Sequence, residues 1–244
     1  MDYHLLIYIL IFLAAFAVLL PLYLRAEDRI ADGPHTFQKA AILKVATSGL
    51  CALCALLGLL LWSVPPELAR VFIPIALICS VVGDYFLQYI ALDEKRFTIG
   101  ILFFALTQVF LIVSLCLHHG VSWPEFVITA VLACGVWALV TTLKWKLGKT
   151  KVPLICYAAL LIFMASKSVL ALFAGAAGAA NAAADTTVGI TLPLALMAAG
   201  AVLFVISDSL LGIKYFSGAK ESRSKLYLIT YFLAILLIAL SSLF

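Results

Sequence analysis

Four ionisable residues lie inside long apolar stretches of the sequence: Lys44, Asp84, Lys167 and Asp208. A charged group within a membrane span costs several kcal/mol, so it is functional by default and usually has a partner. Asp84 sits in Gly83-Asp84-Tyr85-Phe86-Leu87 and Asp208 in Ser207-Asp208-Ser209-Leu210-Leu211. Counted along a helix, Lys44 is roughly 7 Å in from Lys39, Asp84 roughly 13 Å from Asp93, and Asp208 roughly 9 Å from Lys214. The three share one layer, and where their helices meet, two carboxylates and an ammonium share one pocket. Both aspartates are placed near helix C-termini, the negative end of the dipole, where a carboxylate is disfavoured. Two carboxylates in one such site tend to divide into one protonated and one ionised. General acid–base catalysis needs that division. The plainer alternative is that Lys44 and one aspartate form a buried ion pair that fixes helix register.

Other polar residues fall around this layer. Lys44, Thr47, Ser48 and Cys51 share one helical face, as do Ser80, Asp84 and Gln88. Tyr157, Thr230 and Tyr231 lie at the same depth on later spans, and Gln108 lies at mid-membrane. With Thr47 and Lys167 these are the candidates to hold a substrate. Lys167 is placed roughly 24 Å in from Lys151, in the opposite half. It is expected to snorkel outward, pair with Asp185 or bind a lipid phosphate. His118 and His119 are adjacent, so they point apart on a helix, and with Glu125 they make a polar cap rather than a metal set. Cys51 and Cys54 form a C-x-x-C inside an apolar run, which favours packing over redox or metal chemistry. No metal or cofactor is expected.

The elements that position these residues follow from composition. Of 244 residues, 66% are hydrophobic and only 11% charged. A water-soluble surface needs far more charge, so lipid is the solvent. The runs are long and not alternating, which predicts helices rather than a barrel. The expected fold is all-α, a single polytopic domain over 1–244 with spans at 3–24, 39–62, 67–91, 97–118, 124–143, 152–174, 189–213 and 225–243. Thirteen Lys and Arg residues fall in alternate connections (Arg25, Arg29, Lys39; Lys95, Arg96; Lys144, Lys146, Lys149, Lys151; Lys214, Lys220, Arg223, Lys225), against Arg70 alone on the other side. The positive-inside rule then puts both termini outside and the basic connections in the cytoplasm of a cell inner membrane. The net charge of +4 is an orientation signal, not a nucleic-acid footprint. The first apolar run is long enough to span and lacks a basic flank, unlike a signal peptide. The Ala/Gly-rich stretch 174–188 reads as an outer loop. The small-Asp-x-x-Leu motif recurs at 83–87 and 207–211, preceded by lysines 40 and 41 residues earlier, which suggests a 4+4 internal repeat.

Taken in order, Lys44, the Gly83-Asp84-x-x-Leu87 motif, Ser207-Asp208 and Thr230-Tyr231 resemble the YhhN-like lysoplasmalogenase family, over nearly the whole chain. The resemblance implies a membrane hydrolase that cleaves the vinyl-ether bond of a lysophospholipid to a fatty aldehyde and a glycerophospho head group. It carries Asp84, Asp208 and Lys44 onto the family's motif positions. The chain departs from the family where Gln108 stands for a common His and Ile235 for a common Gln. The partners implied are the lysophospholipid and bilayer lipids, with no obligatory protein partner. A transporter or lipid-binding protein, using the same buried charges, is the alternative from a different class.

Overall fold

The structure is a computed structural model that describes residues 3–62, 68–89, 92–142, 150–179, 184–216 and 225–244, with backbone alone at 62, 178–179 and 184–191. Among these residues there is no strand. Eight helices follow one another: α1 (Tyr3–Glu27), α2 (Pro34–Trp62), α3 (Leu68–Leu87), α4 (Glu94–His119), α5 (Trp123–Thr142), α6 (Lys151–Ala179), α7 (Ala184–Phe216) and α8 (Leu226–Ser241). The first seven are long and apolar enough to cross a membrane.

The eighth helix is shorter than the expected span. Its 16 residues rise roughly 24 Å, less than a hydrocarbon core of about 30 Å. Tethers at its two ends extend its reach. At one end, Lys225 pairs with Asp28 and donates to Leu24 O at 2.9 Å; at the other, Arg70 donates to Phe244 O at 3.0 Å. Between them α8 is the most enclosed helix, with Tyr231, Phe232, Ile235 and Ile238 all buried.

Local chemistry explains the other shifted boundaries. Pro34 opens α2, where its missing N–H is harmless, so Lys44 lies three turns inside. Asp93 caps α4, accepting from the backbone N–H groups of Lys95 at 2.9 Å and Arg96 at 3.2 Å, and the helix starts at Glu94 rather than 97. Helix α3 closes at Leu87 instead of 91, because Leu92 and Asp93 turn back to donate to Tyr89 O. Asp84 therefore stands in the last turn of its helix, nearer the basic face than the sequence count suggests. The stretch read as an outer loop at 174–188 is mostly helix, since α6 runs to Ala179 and α7 starts at Ala184. Alanine is the best helix former, which accounts for the difference.

Sequential helices pack as neighbours from α1 to α4 and again from α5 to α8. The two halves then interlock: α4 lies on α6, and α8 lies on α2. Helices α1 and α5 are outermost, the α5 span burying only Glu125 and Val140. Close approach relies on small residues. A Cβ on Gly83 would lie 2.9 Å from the Phe104 ring of α4, and one on Gly200 would lie 2.9 Å from Ala234 O of α8. We expect Gly83→Ala to cost about 1–3 kcal/mol by overpacking. Chemical unfolding in detergent checks it, and an unchanged midpoint would mean that Phe104 moves aside freely.

Candidate active site

A cavity of about 750 Å3 reaches from the α1–α2 connection into the bundle, and Lys44, Asp84, Asp208, Tyr157 and Tyr231 all line it. Helices α2 and α3 pack directly on each other, while α7, packed on α6 and α8, brings Asp208 to the same cavity. Asp84 is completely buried and Lys44 is 4% exposed, with Lys44 Nζ 3.5 Å from Asp84 Oδ1. The other oxygen, Oδ2, accepts from the Tyr231 hydroxyl at 2.7 Å. Asp208 has a different setting. Its Oδ2 accepts from the Tyr157 hydroxyl, and among the described residues no cation lies within ion-pair distance of it. Ser207, beside it, donates to Tyr227 O at 2.8 Å, which ties this part of α7 to α8.

The two Asp–Tyr pairs meet on one aromatic ring. Phe104 has its centroid 6.5 Å from that of Tyr157 and 5.9 Å from that of Tyr231, edge-on to both. Beyond the pairs the wall is apolar, with Leu154, Ala158 and Leu161 of α6 facing Val136, Leu139 and Val140 of α5. A polar end with two carboxylates in unlike surroundings, joined to a long apolar wall, suits acid–base chemistry on an amphiphile.

The remaining sequence candidates stand apart from the cavity lining. Thr47 and Thr230 return their hydroxyls to their own helices, donating to Leu43 O at 2.7 Å and Leu226 O at 2.8 Å. Such back-bonding is the usual fate of a threonine in a membrane helix. Gln108 is fully buried one turn past Phe104, and neither its nitrogen nor its oxygen has a hydrogen-bond partner among the described residues. Tyr157 and Tyr231 were expected to hold a substrate; their hydroxyls are engaged by the aspartates.

Contrary to the expectation from sequence, Lys167 neither snorkels nor meets lipid, being 1% exposed. Its Nζ lies 3.0 Å from Glu125 Oε1 and donates to Gly120 O. Glu125 also accepts from Ser122 N at 3.3 Å and Ser122 Oγ at 3.0 Å. Gly120, with φ +63°, makes the turn that brings this cluster together. The side chain of Asp185, the partner expected for Lys167, lies outside the described residues. The signal for Glu125 was present in the sequence: it and Lys167 both fall near the face opposite the basic connections. Phe104 and Glu27, which also line the cavity, had no such signal, since one is a phenylalanine among many and the other reads as a connection residue.

Residues 40–242 match the model of the YhhN family, an interval that takes in every charged and aromatic residue of the two Asp–Tyr pairs. No curated protein and no solved structure matches the chain.

Proposed function

This chain belongs to the YhhN family, which includes lysoplasmalogenases, and on that premise we propose that it is an integral-membrane hydrolase that splits the vinyl ether of a lysoplasmalogen. The observation that carries the proposal is the contrast between the carboxylates: Asp84 faces an ammonium and Asp208 does not. We assign the role of the charged partner to the carboxylate that has an ammonium beside it. The carboxyl without a cation takes the role of the acid.

Asp208 delivers that proton to the β-carbon of the vinyl ether, leaving an oxocarbenium at the α-carbon. Asp84 steadies the cation, as carboxylates do in glycoside hydrolysis. Water adds to the α-carbon and returns a proton to Asp208. The hemiacetal then breaks its bond to the glycerol oxygen, its hydroxyl proton passing to that oxygen through the same carboxyl. One water is consumed, and an aldehyde and a glycerophospho head group are released. Lys44 acts as a positioning residue, holding the Asp84 carboxylate. The apolar wall of α5 and α6 takes the hydrocarbon chain.

The topology belongs to the same proposal. With eight crossings, the basic connections face the cytoplasm, both termini face out, and the cavity mouth opens at the cytoplasmic leaflet of the inner membrane. The reciprocal contacts of α4 with α6 and of α8 with α2 support a 4+4 repeat.

The test is aldehyde release by purified protein in detergent, with saturated-ether and ester analogues alongside. We expect aldehyde from the vinyl ether alone. A transporter has no gradient to use in a micelle, so an absence of product there favours transport.

A further inference from the structure

A phenol hydroxyl has one hydrogen to donate and lone pairs with which to accept. In both Asp–Tyr pairs the hydrogen goes to the carboxylate. What stands on the other side of each tyrosine oxygen then decides whether that hydrogen can turn away. Beside the Tyr231 hydroxyl is Ser80, whose own hydroxyl donates to Leu77 O at 2.8 Å. Beside the Tyr157 hydroxyl is Gln108. It follows Phe104 by one turn on the same face of α4. That helix packs on α6, and Phe104 is itself edge-on to Tyr157.

Gln108 differs from Ser80 in having its donor to give. It is fully buried, and among the described residues neither amide atom has a hydrogen-bond partner. An unmet buried donor costs about 1–3 kcal/mol, and in a membrane bundle such an amide bonds across helices. Tying α4 to α3 does not require it, because Thr107, the preceding residue, donates to Ala76 O at 3.1 Å. The terminal torsion of a glutamine is soft, so its N–H turns onto the Tyr157 oxygen at little cost. An N–H held there keeps the phenol hydrogen on Asp208 Oδ2. A proton carried by Asp208 must then sit on Oδ1, on a residue that lines the cavity. Without the amide the hydroxyl can rotate, and Asp208 can place its proton on Oδ2 and give it to Tyr157 instead of to substrate.

Building on the hydrolase assignment with Asp208 as the acid, we infer that Gln108 is a positioning residue for the acidic proton: its amide N–H donates to the Tyr157 oxygen, which commits the phenol to Asp208 Oδ2 and leaves Oδ1 to deliver the proton. Gln108 is absent from the cavity lining, so it acts through Tyr157 and not on the substrate. Its contribution falls on kcat and leaves KM unchanged.

The test uses full-length protein in detergent and two readouts. The first is the tyrosine ring doublet in the Raman spectrum, whose intensity ratio distinguishes a phenol that only donates from one that also accepts; subtracting the Tyr157→Phe spectrum isolates Tyr157. We expect Tyr157 to donate and accept in the wild type and in Gln108→His, which keeps an N–H, and only to donate in Gln108→Met. The second readout is vinyl-ether cleavage, with melting curves for each variant. Gln108→Met should lower kcat by about tenfold at unchanged KM and melt no lower than the wild type, whereas a merely structural residue would lower the melting point and spare kcat. Gln108→His should restore most of the rate. In a Tyr157→Phe background, Gln108→Met should produce no further loss, because the intermediary is gone. A wild-type Tyr157 that only donates, a folded Gln108→Met with full activity, or losses that add in the double variant would overturn the inference. The Raman readout needs no turnover, so the two claims separate. Cleavage by a protein whose Tyr157 only donates removes the role of Gln108 alone, and a doublet that depends on Gln108 in a protein that releases no aldehyde removes the hydrolase assignment while the contact stands.

Discussion

Asp84→Asn and Asp208→Asn are each expected to cut aldehyde release by about 10^2–10^4-fold, the usual contribution of a positioned acid or base. Asparagine keeps the shape of the side chain and its acceptor oxygen but neither donates a proton to carbon nor offsets a developing cation. The loss should fall on kcat, since the interaction arises only in the transition state. The two variants differ in stability. Asp84→Asn leaves the Lys44 ammonium buried without its carboxylate and should melt well below the wild type. Asp208→Asn keeps an oxygen for the Tyr157 hydroxyl and has no ammonium to strand, so it should fold normally and separate chemistry from folding. A loss of tenfold or less in both variants would argue against the carboxylate scheme.

The second large effect concerns the two buried ion pairs, which look alike and should behave differently. Lys44→Met strands Asp84 and Lys167→Met strands Glu125. Removing one partner of a buried pair costs about 3–5 kcal/mol. Both variants should therefore unfold earlier in a denaturant titration. Below the transition, Lys167→Met should turn over substrate at the wild-type rate, because its cluster with Glu125 and Ser122 lies at the opposite end of the bundle from the cavity lining. Lys44→Met should lose activity as well, because Asp84 then lacks the ammonium that positions its carboxylate. Removing the stranded charge too, in Lys167→Met with Glu125→Gln, should recover most of the lost stability. A folded Lys167→Met with depressed kcat would return that lysine to the site.

Helix number and the common layer of Lys44, Asp84 and Asp208 were legible because both follow from periodicity and from the cost of charge in lipid. The partners of those charges were not. Tyr231 reaches Asp84 and Tyr157 reaches Asp208 across helices far apart in sequence, and a depth count ranks every tyrosine in the layer equally. Glu125 was masked by two histidines that suggested an exposed rim, whereas the turn at Gly120 folds the carboxylate inward. Boundaries slipped where a single residue decided them: Asp93 as a cap, Pro34 as a helix start and the turn at Tyr89. Glycines interrupt the alanines after 174 and suggest a flexible loop, yet alanine propensity carries helix through most of the stretch.

The contact of both tyrosines with Phe104, which itself leans on Gly83, has a mechanical meaning. The spacing of the two carboxylates is a dimension of packed aromatic rings rather than a balance of charges. Packed interiors compress very little, and added salt screens exposed charges far more than buried ones. The gap between the two carboxylates is therefore machined to a tolerance that ionic strength does not alter, and only a change in the shape of that ring or its seat resets it.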